Sequence, residues 1–349
     1  MTFTTTEAAE ARLSIWSRER LDTTIGLIVG SGLLIWVVVN LIATPGRFVD
    51  LVLAGLRVGS LYALIALGYT LIYGIIGLIN FAHGDLFMLA SIFTSILLEV
   101  KFGVEGSSPR GWALAAVVLV IVMAICSSMN VAADRLVFRR LRGGPRLTSL
   151  IAAVGLSFMF QWLGLQLNGS GQRIWPTVIP NGGITIGSIT VDYSTIVVTA
   201  ITLPILVALT AFVTRTRHGQ AMRATSQDAE TALLMGINVK RTISTTFALG
   251  GALAGAAGLL YFATFGNTNY LDGYQFGLIA FTAAVLGGVG NLPGAVLGGY
   301  LIGILQAFND GFDYAIGQQW SQSVVFSVLI LVLVFRPQGL LGERPTERV

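Results

Sequence analysis

The sequence predicts an all-α, polytopic integral membrane bundle of about eight to ten transmembrane helices. Three observations predict this fold class. Hydrophobic residues make up 54% of the 349-residue chain and charged residues only 11%. The mean hydropathy is +0.78, well above that of a water-soluble domain. Uncharged apolar runs also recur along the chain, and a helical span needs about 20 such residues.

The apolar runs cover residues 25–43, 58–82, 86–98, 111–133, 147–172, 193–214, 242–271, 273–309 and 314–335. Most of them fit one span each. The run at 273–309 does not, because as a single helix it would reach about 55 Å against a hydrocarbon core of about 30 Å. Gly290, Asn291 and Pro293 are turn formers in its middle. We therefore expect this run to fold back, either as two short spans or as a re-entrant pair.

The distribution of basic residues predicts the orientation of the chain. Sixteen of the 21 Lys and Arg residues fall in four segments, which are residues 1–23, 134–147, 214–241 and 336–349. By the positive-inside rule these segments face the cytoplasm, so both termini are expected there, in a multi-pass protein of the cytoplasmic (inner) membrane. The polar start of the chain is not a cleavable signal. One transmembrane domain is expected at 24–336, with cytoplasmic tails at 1–23 and 337–349.

The sequence also excludes several kinds of function. It contains no G-x-x-x-x-G-K-[ST] nucleotide loop, no H-E-x-x-H motif and no Cys/His cluster with metal-binding spacing. Cys126 is the single cysteine. The formal net charge of +4 is explained by orientation in the membrane, so nucleic-acid binding is not expected. We predict no cofactor, no metal site and no catalytic residue, which leaves a conduit through the bilayer.

The stretch "LINFAHGDLFMLA", residues 78–90, places Asn80, His83 and Asp85 in an apolar region. Unpaired polar groups in hydrocarbon are costly, so these side chains must face protein, water or a partner group. The segment could be a polar cytoplasmic turn, or its side chains could hydrogen-bond within the bundle. A third interpretation is a discontinuous helix that restarts near Asp85, which as N-cap would face a cavity and attract an ammonium group. Such a break would be marked by Gly74, Gly77 and Gly84.

The loop at 215–241 is longer than usual connections and predicts a short helix. Thr225 is a candidate N-cap with Asp228 three residues later, and Gly236 is a candidate C-terminal cap. Leu233, Leu234 and Met235 would be exposed. So short a helix needs a surface to pack on, either its own bundle or a cytoplasmic partner.

Three blocks carry a family resemblance: "GLRVGSLYALIALGYTLIYGIIGLINFAHGDLFMLAS", "AMRATSQDAETALLMGINVKRTISTTFALGGALAGAAGLLY" and "AFTAAVLGGVGNLPGAVLGGYLIGILQ". In this order they resemble permeases of branched-chain amino-acid ABC importers, the LivH type, over about residues 50–340. Permeases for urea and short-chain amides are closely similar. The resemblance therefore indicates the family better than the substrate.

The resemblance implies partners and site residues. Such a permease works with a second, related permease, two cytoplasmic ATPases and an extracytoplasmic substrate-binding protein. The block with Asn80, His83, Gly84 and Asp85 would border the substrate pathway. The segment from Arg223 to Gly236 would match the coupling loop that rests on an ATPase. Its polar contacts would come from Arg223, Ser226, Asp228 and Glu230, and its apolar contacts from Ala232, Leu233 and Met235.

The resulting interpretation is a permease subunit that forms half of a transmembrane pathway for an aliphatic amino acid and is driven by partner ATPases. Urea or a short amide is the main alternative substrate. An ion-coupled secondary transporter or channel is the alternative from another class, with His83 and Asp85 relaying protons or holding an ion. A membrane enzyme would have to use His83.

Overall fold

The computed structural model describes residues 31–342 except 33–34, 78–79, 105, 143, 175–177, 188 and 313–314. Within this part of the chain, eight helices are long and apolar enough to cross a membrane. The predicted all-helical membrane fold is therefore confirmed. The predicted tail at 1–23 and most of the tail at 337–349 lie outside the described residues. So does the first part of the run at 25–43, which is helical over residues 35–43.

The helices are α1 (Pro45–Ile76), α2 (Ala82–Ser95), α3 (Pro109–Ala133), α4 (Arg146–Asn168), α5 (Tyr193–Arg215), α6 (Arg217–Gln227), α7 (Ala229–Leu234), α8 (Val239–Phe265), α9 (Asp272–Gly287), α10 (Leu292–Gly311) and α11 (Ser321–Phe335). A π-helical turn, Ile96–Lys101, extends α2. A second one, Asp134–Phe138, extends α3 and leads into a last helical turn, Arg139–Leu141. Four short strands, Arg173–Ile174 (β1), Gly183–Ile186 (β2), Ile189–Asp192 (β3) and Asn267–Thr268 (β4), form the antiparallel pairs β1–β4 and β2–β3.

Capping residues fix the ends of several helices. The Ser108 hydroxyl accepts a hydrogen bond from the Gly111 N–H at 3.0 Å and starts α3. The Asn238 and Asn291 side chains cap α8 and α10 in the same way. These oxygens bond N–H groups that have no partner within a first helical turn. Gly77 closes α1 in the left-handed conformation, with φ of 66°.

Glycines let the central helices approach one another closely. A Cβ atom on Gly299 of α10 would lie 2.6 Å from the Ala63 Cα of α1, and one on Gly255 of α8 would lie 2.8 Å from the Met123 Cα of α3. Lipid provides no hydrophobic drive between helices, so small residues stabilise such contacts by bringing backbones together. As a result, the second half of α1 and most of α2 and α8 are buried.

The long apolar run at 273–309 folds back as predicted. It forms α9 and α10, joined by a turn in which Gly288 and Gly290 both have positive φ. Gly287 packs on Gly294 across this hairpin. The 20-residue helix α10 is long enough to span a bilayer, whereas α9 has only 16 residues.

The chain also breaks between α1 and α2. His83, in the first turn of α2, packs against Gly68 and so lies level with a point eight residues before the end of α1. That point is about 12 Å back along the helix. Therefore α2 starts inside the bundle, as the discontinuous-helix interpretation predicted. The polar-turn interpretation is wrong for His83 and Asp85, which are buried in α2.

Two ends of the bundle can be distinguished by their charges. The end that carries residues 134–147 and 214–241 is called the basic end here. The Ser244 hydroxyl, three residues after the second segment, donates a hydrogen bond to Asp134 and so places both segments at the same end. The opposite end carries the β-strands and the ion pairs Arg57–Asp192 and Arg173–Glu99.

Candidate functional site: a cavity beside Asp85 and an exposed segment at the basic end

Asp85 is a buried carboxylate whose hydrogen-bond partners are neutral. It is 1% exposed. The Ser157 hydroxyl donates to Oδ2, and the Gln161 side-chain Nε2 donates to Oδ1 at 3.2 Å. No Lys, Arg or His forms an ion pair with Asp85 within the described part of the chain. Asp85 lies in the first turn of α2, and the predicted N-cap position belongs instead to Phe81.

A cavity of about 370 Å³ lies beside this cluster, between α4 and α9. Ser157 and Gln161 form a polar part of its wall, whereas Val154, Phe158 and Leu278 make much of the remainder apolar. Asp85 is not among the described residues of the wall and lies behind the two that bond it. The cavity has the size and the apolar lining of a small-molecule site.

The other predicted pathway residues face different neighbours. A Cβ atom on Gly84 would lie 2.6 Å from the Gly277 Cα, so Gly84 allows α9 to approach the start of α2. The His83 ring packs edge-on to Tyr69, with ring centroids 4.9 Å apart, and contacts Gly68. His83 therefore touches α1 rather than the cavity, although Tyr69 lines the cavity wall.

Asn80 and His83 are also buried, but they differ from Asp85 in bonding. The Asn80 amide has no hydrogen-bond partner among the described residues, whereas the His83 ring interacts with the Ile65 backbone of α1. Buried polar groups without partners are rare in native proteins. The prediction of hydrogen bonds within the bundle is thus met most fully by Asp85, and the Asn80 amide does not meet it.

The predicted coupling helix is shorter than expected and is capped by another residue. Thr225 is buried inside α6 and caps nothing. Asp228 is the N-cap, and its Oδ1 accepts hydrogen bonds from the N–H groups of Glu230 and Thr231 at 2.9 and 3.1 Å. Gly236 ends the segment with φ of 84°, as predicted. The Thr225 prediction is wrong because α6 continues to Gln227, so Thr225 lies within α6 rather than at the start of a new helix.

The coupling segment, residues 226–236, presents a cluster of apolar side chains. Leu233, Leu234 and Met235 are 64%, 85% and 78% exposed. Glu230 is exposed beside them. Ala232 faces inward and is buried, so the prediction that it contacts a partner is wrong: the face of α7 that carries it packs on the bundle. Leu234, the most exposed of the three, was missing from the predicted contacts.

Besides the capping residue Asp228, two more of the predicted polar contacts are used within the chain. The Arg223 guanidinium donates to the backbone carbonyl of Val213 and, at 3.4 Å, to that of Thr214, which ties α6 to the end of α5. The Ser226 hydroxyl donates to the Arg223 carbonyl at 2.8 Å. Both side chains also line a cavity of about 440 Å³ that reaches Thr70 on α1.

A second buried carboxylate, Asp134, lies at the basic end. It is bonded by Arg142, lies 3.5 Å from the Arg139 guanidinium and accepts a hydrogen bond from the Ser244 hydroxyl at 2.6 Å. Arg139 also donates to Ser244 at 2.8 Å. This cluster joins the π-helical end of α3 to the first turns of α8.

Ser157 and Gln161 are the site residues that the sequence reasoning missed. They lie one helical turn apart in the apolar run at 147–172. The argument applied to Asp85, that a polar group in an apolar run must face protein or water, also applies to them. Tyr69 and Tyr274 complete the wall and carry no comparable signal, because tyrosines occur throughout such helices.

These features define a class of protein. The described part of the chain has eight long apolar helices, a cavity between α4 and α9 beside a buried carboxylate, and an apolar segment that projects from one end, as expected of a membrane transport subunit. The family described as branched-chain amino acid transport system / permease component matches residues 51–334, and the chain belongs to this family. The family resemblance seen in the sequence is confirmed.

Individual relatives agree with this assignment. The chain is 41% identical over 301 residues to the high-affinity branched-chain amino acid transport system permease protein BraD of Pseudomonas aeruginosa, covering 84% of this chain and 96% of BraD. It is 37% identical over 309 residues to LivH of Escherichia coli K12, covering 86% and 98%. A probable LivH of Methanocaldococcus jannaschii is 27% identical over 300 residues, covering 81% and 89%.

Proposed function

We propose that this chain is the permease subunit of an ABC importer that moves branched-chain or other aliphatic amino acids across the cytoplasmic membrane. The observation that supports it most is the cavity of about 370 Å³ between α4 and α9. Its wall is mostly apolar, and Ser157 and Gln161 form a polar corner beside the tyrosines Tyr69 and Tyr274. This is the pattern expected for a ligand with an aliphatic body and one polar end.

The same wall argues against urea or a short amide as the substrate. Urea has polar groups on all sides, and many of them would face Val154, Phe158 and Leu278 without hydrogen-bond partners. Burying polar groups without partners is costly, whereas burying the methyl groups of leucine or valine is favourable. The cavity chemistry therefore favours the aliphatic substrate.

The substrate pathway would run along the interrupted start of α2, past Asn80, His83, Gly84 and Asp85. Gly84 permits the close approach of α9, and Asp85 supports the polar corner of the cavity. The unbonded amide of Asn80 would find a partner in another state of the transport cycle.

The mouth of the cavity supports a second permease as a partner. Phe158 and Tyr274 line the cavity and are both exposed on the outside of the bundle. A polar corner that opened toward lipid would be unfavourable. A second, related permease covering α4 and α9 would complete the pathway, with each subunit supplying one half.

The coupling segment would dock on one of two cytoplasmic ATPases. Leu233, Leu234 and Met235 would form the apolar part of that contact and Glu230 the polar part, since exposed apolar patches commonly mark interaction sites. Movement there can reach the substrate cavity through α1. Thr70 of α1 lines the cavity of about 440 Å³ beside Arg223 and Ser226, and the next residue, Tyr69, lines the cavity between α4 and α9. An extracytoplasmic binding protein would deliver the substrate to the opposite end.

The test is uptake by reconstituted proteoliposomes that contain the chain, a second permease, the ATPases and a binding protein. Labelled leucine, isoleucine or valine should accumulate only with ATP, and labelled urea should not. Uptake of urea at the same rate would overturn the substrate. Accumulation by this chain alone on an ion gradient would instead establish a secondary transporter.

Orientation can be tested by labelling. Cys126 is buried, so a Leu234→Cys variant provides one accessible thiol. A membrane-impermeant maleimide should label it only from the cytoplasmic side, as expected if both termini and the basic end face the cytoplasm. Labelling of intact cells or spheroplasts from outside would reverse the proposed topology and separate the segment from the ATPases.

A further inference from the structure

The hydrogen bonds around Asp85 fix the orientation of the Gln161 amide. A carboxylate can only accept hydrogen bonds, whereas an amide has one donor end and one acceptor end. The Gln161 Nε2 donates to Asp85 Oδ1 at 3.2 Å and to Ser157 Oγ at 3.3 Å. The Ser157 proton is already used toward Asp85 Oδ2. The opposite orientation would place the Gln161 carbonyl oxygen against the carboxylate.

This orientation leaves the Gln161 Oε1 for the cavity. Gln161 lines the cavity wall, whereas Asp85 does not reach it. Asp85 therefore acts through Gln161 rather than on the ligand directly. The polar corner thus presents an acceptor oxygen at the end of a mostly apolar wall.

The negative charge of Asp85, which lies behind the Gln161 amide, determines which kind of ligand donor is favoured. No basic side chain neutralises Asp85 within the described part of the chain. In a poorly hydrated interior, a negative charge attracts a cationic group and gives a neutral one no comparable benefit. A hydrogen bond from a charged donor is also stronger than one from a neutral donor.

We infer that Gln161 is a specificity-determining residue that accepts a hydrogen bond from the ammonium group of the substrate, and that Asp85 and Ser157 are positioning residues that orient it. The inference rests on the proposed function, because it assumes that the cavity between α4 and α9 lies on the substrate pathway. It replaces direct recognition of the ammonium group by Asp85 with recognition through Gln161.

The experiment measures equilibrium binding to the purified importer complex without its binding protein. The probes are leucine, 3-methylbutylamine, which lacks the carboxylate, and 3-methylbutanol, which replaces the ammonium group with a hydroxyl. We expect leucine and the amine to bind better than the alcohol. Gln161→Met should weaken binding of leucine and the amine by about tenfold or more, with little effect on the alcohol.

Gln306→Met is the matched control, because Gln306 bonds the Tyr62 hydroxyl at 2.7 Å and does not belong to the described cavity wall. It should leave all three affinities unchanged. Asp85→Asn should reduce the preference for the amine over the alcohol, and Asp85→Glu should restore part of it. A purely structural role of Asp85 would instead weaken all three probes equally.

The outcomes separate this inference from the proposed function. If the wild-type complex imports leucine but Gln161→Met keeps the amine-to-alcohol preference of Gln306→Met, the inference is wrong and the function stands. If the assembled complex imports no aliphatic amino acid, the proposed function itself fails.

Discussion

Asp85 and Asp134 are both buried aspartates, yet their surroundings differ in charge. Asp134 is bonded by Arg142, lies near Arg139 and is not among the residues that line the cavity formed by its neighbours Val131 and Arg135. Asp85 is bonded by a hydroxyl and an amide, next to a cavity of ligand size. The first carboxylate is neutralised by its own chain, and the second is not. An unneutralised buried charge is unfavourable for folding, which indicates a functional reason to keep it.

The largest effect is expected from Asp134→Ala. Removing the carboxylate leaves Arg139 and Arg142 without a counter-charge, which should lower the free energy of unfolding by about 3–5 kcal/mol. Unfolding of the purified protein by denaturing detergent measures it. Asp192→Ala is the matched control, since its pair with Arg57 is half exposed and contributes about 0–1 kcal/mol. Equal losses for the two variants would remove the distinction drawn for Asp134.

Gly68→Ala tests whether close packing on α1 holds the His83 ring in place. A Cβ atom on Gly68 would lie 2.5 Å from His83 Cε1, so the variant should lose about 1–3 kcal/mol of stability by overpacking. Gly155→Ala, with nothing within 4 Å, should lose none. In a His83→Ala background, adding Gly68→Ala should raise rather than lower stability. The added methyl group then fills space that the imidazole has left. The absence of this increase would show that this contact does not constrain His83.

Asp85→Asn should change the free energy of unfolding by less than about 1 kcal/mol, because it removes a charge that no basic group compensates and leaves no arginine unpaired. Leucine uptake by the assembled complex should nevertheless fall severalfold. A loss of stability as large as that of Asp134→Ala would place both aspartates in the same structural role.

The smallest effect on stability is expected from Leu234→Ser at the basic end, within about 0.5 kcal/mol, since the side chain is almost fully exposed. Co-purification with the ATPases should be lost. Leu271→Ser, which also removes an exposed leucine but at the opposite end, is the control and should co-purify normally. Normal co-purification of Leu234→Ser would contradict the proposed coupling contact.

The fold could be predicted largely from the sequence, because its signals are local. Run lengths indicated the spans, and Gly290, Asn291 and Pro293 predicted the hairpin of α9 and α10. The site was harder to predict because it depends on which helices meet. Asp85 was recognised, but its partners Ser157 and Gln161 lie more than 70 residues away. Asp134 was overlooked because it begins a basic segment that was assigned to solvent.

Capping rules showed the same limit on a smaller scale. Thr225 and Asp228 both suit the start of a helix, and the choice between them depends on where α6 ends. The exposure of Leu234 was predicted, but the inward direction of Ala232 was not, since a helix of six residues carries too little pattern to define an inward face.

The exposed leucines and methionine of the coupling segment have a consequence for biosynthesis. A copy of this subunit made in excess of its partners would expose the apolar side chains of the coupling segment to water. Chaperones and proteases recognise such surfaces. Balanced production of the transporter components would then follow from degradation of orphan subunits, without any dedicated regulator.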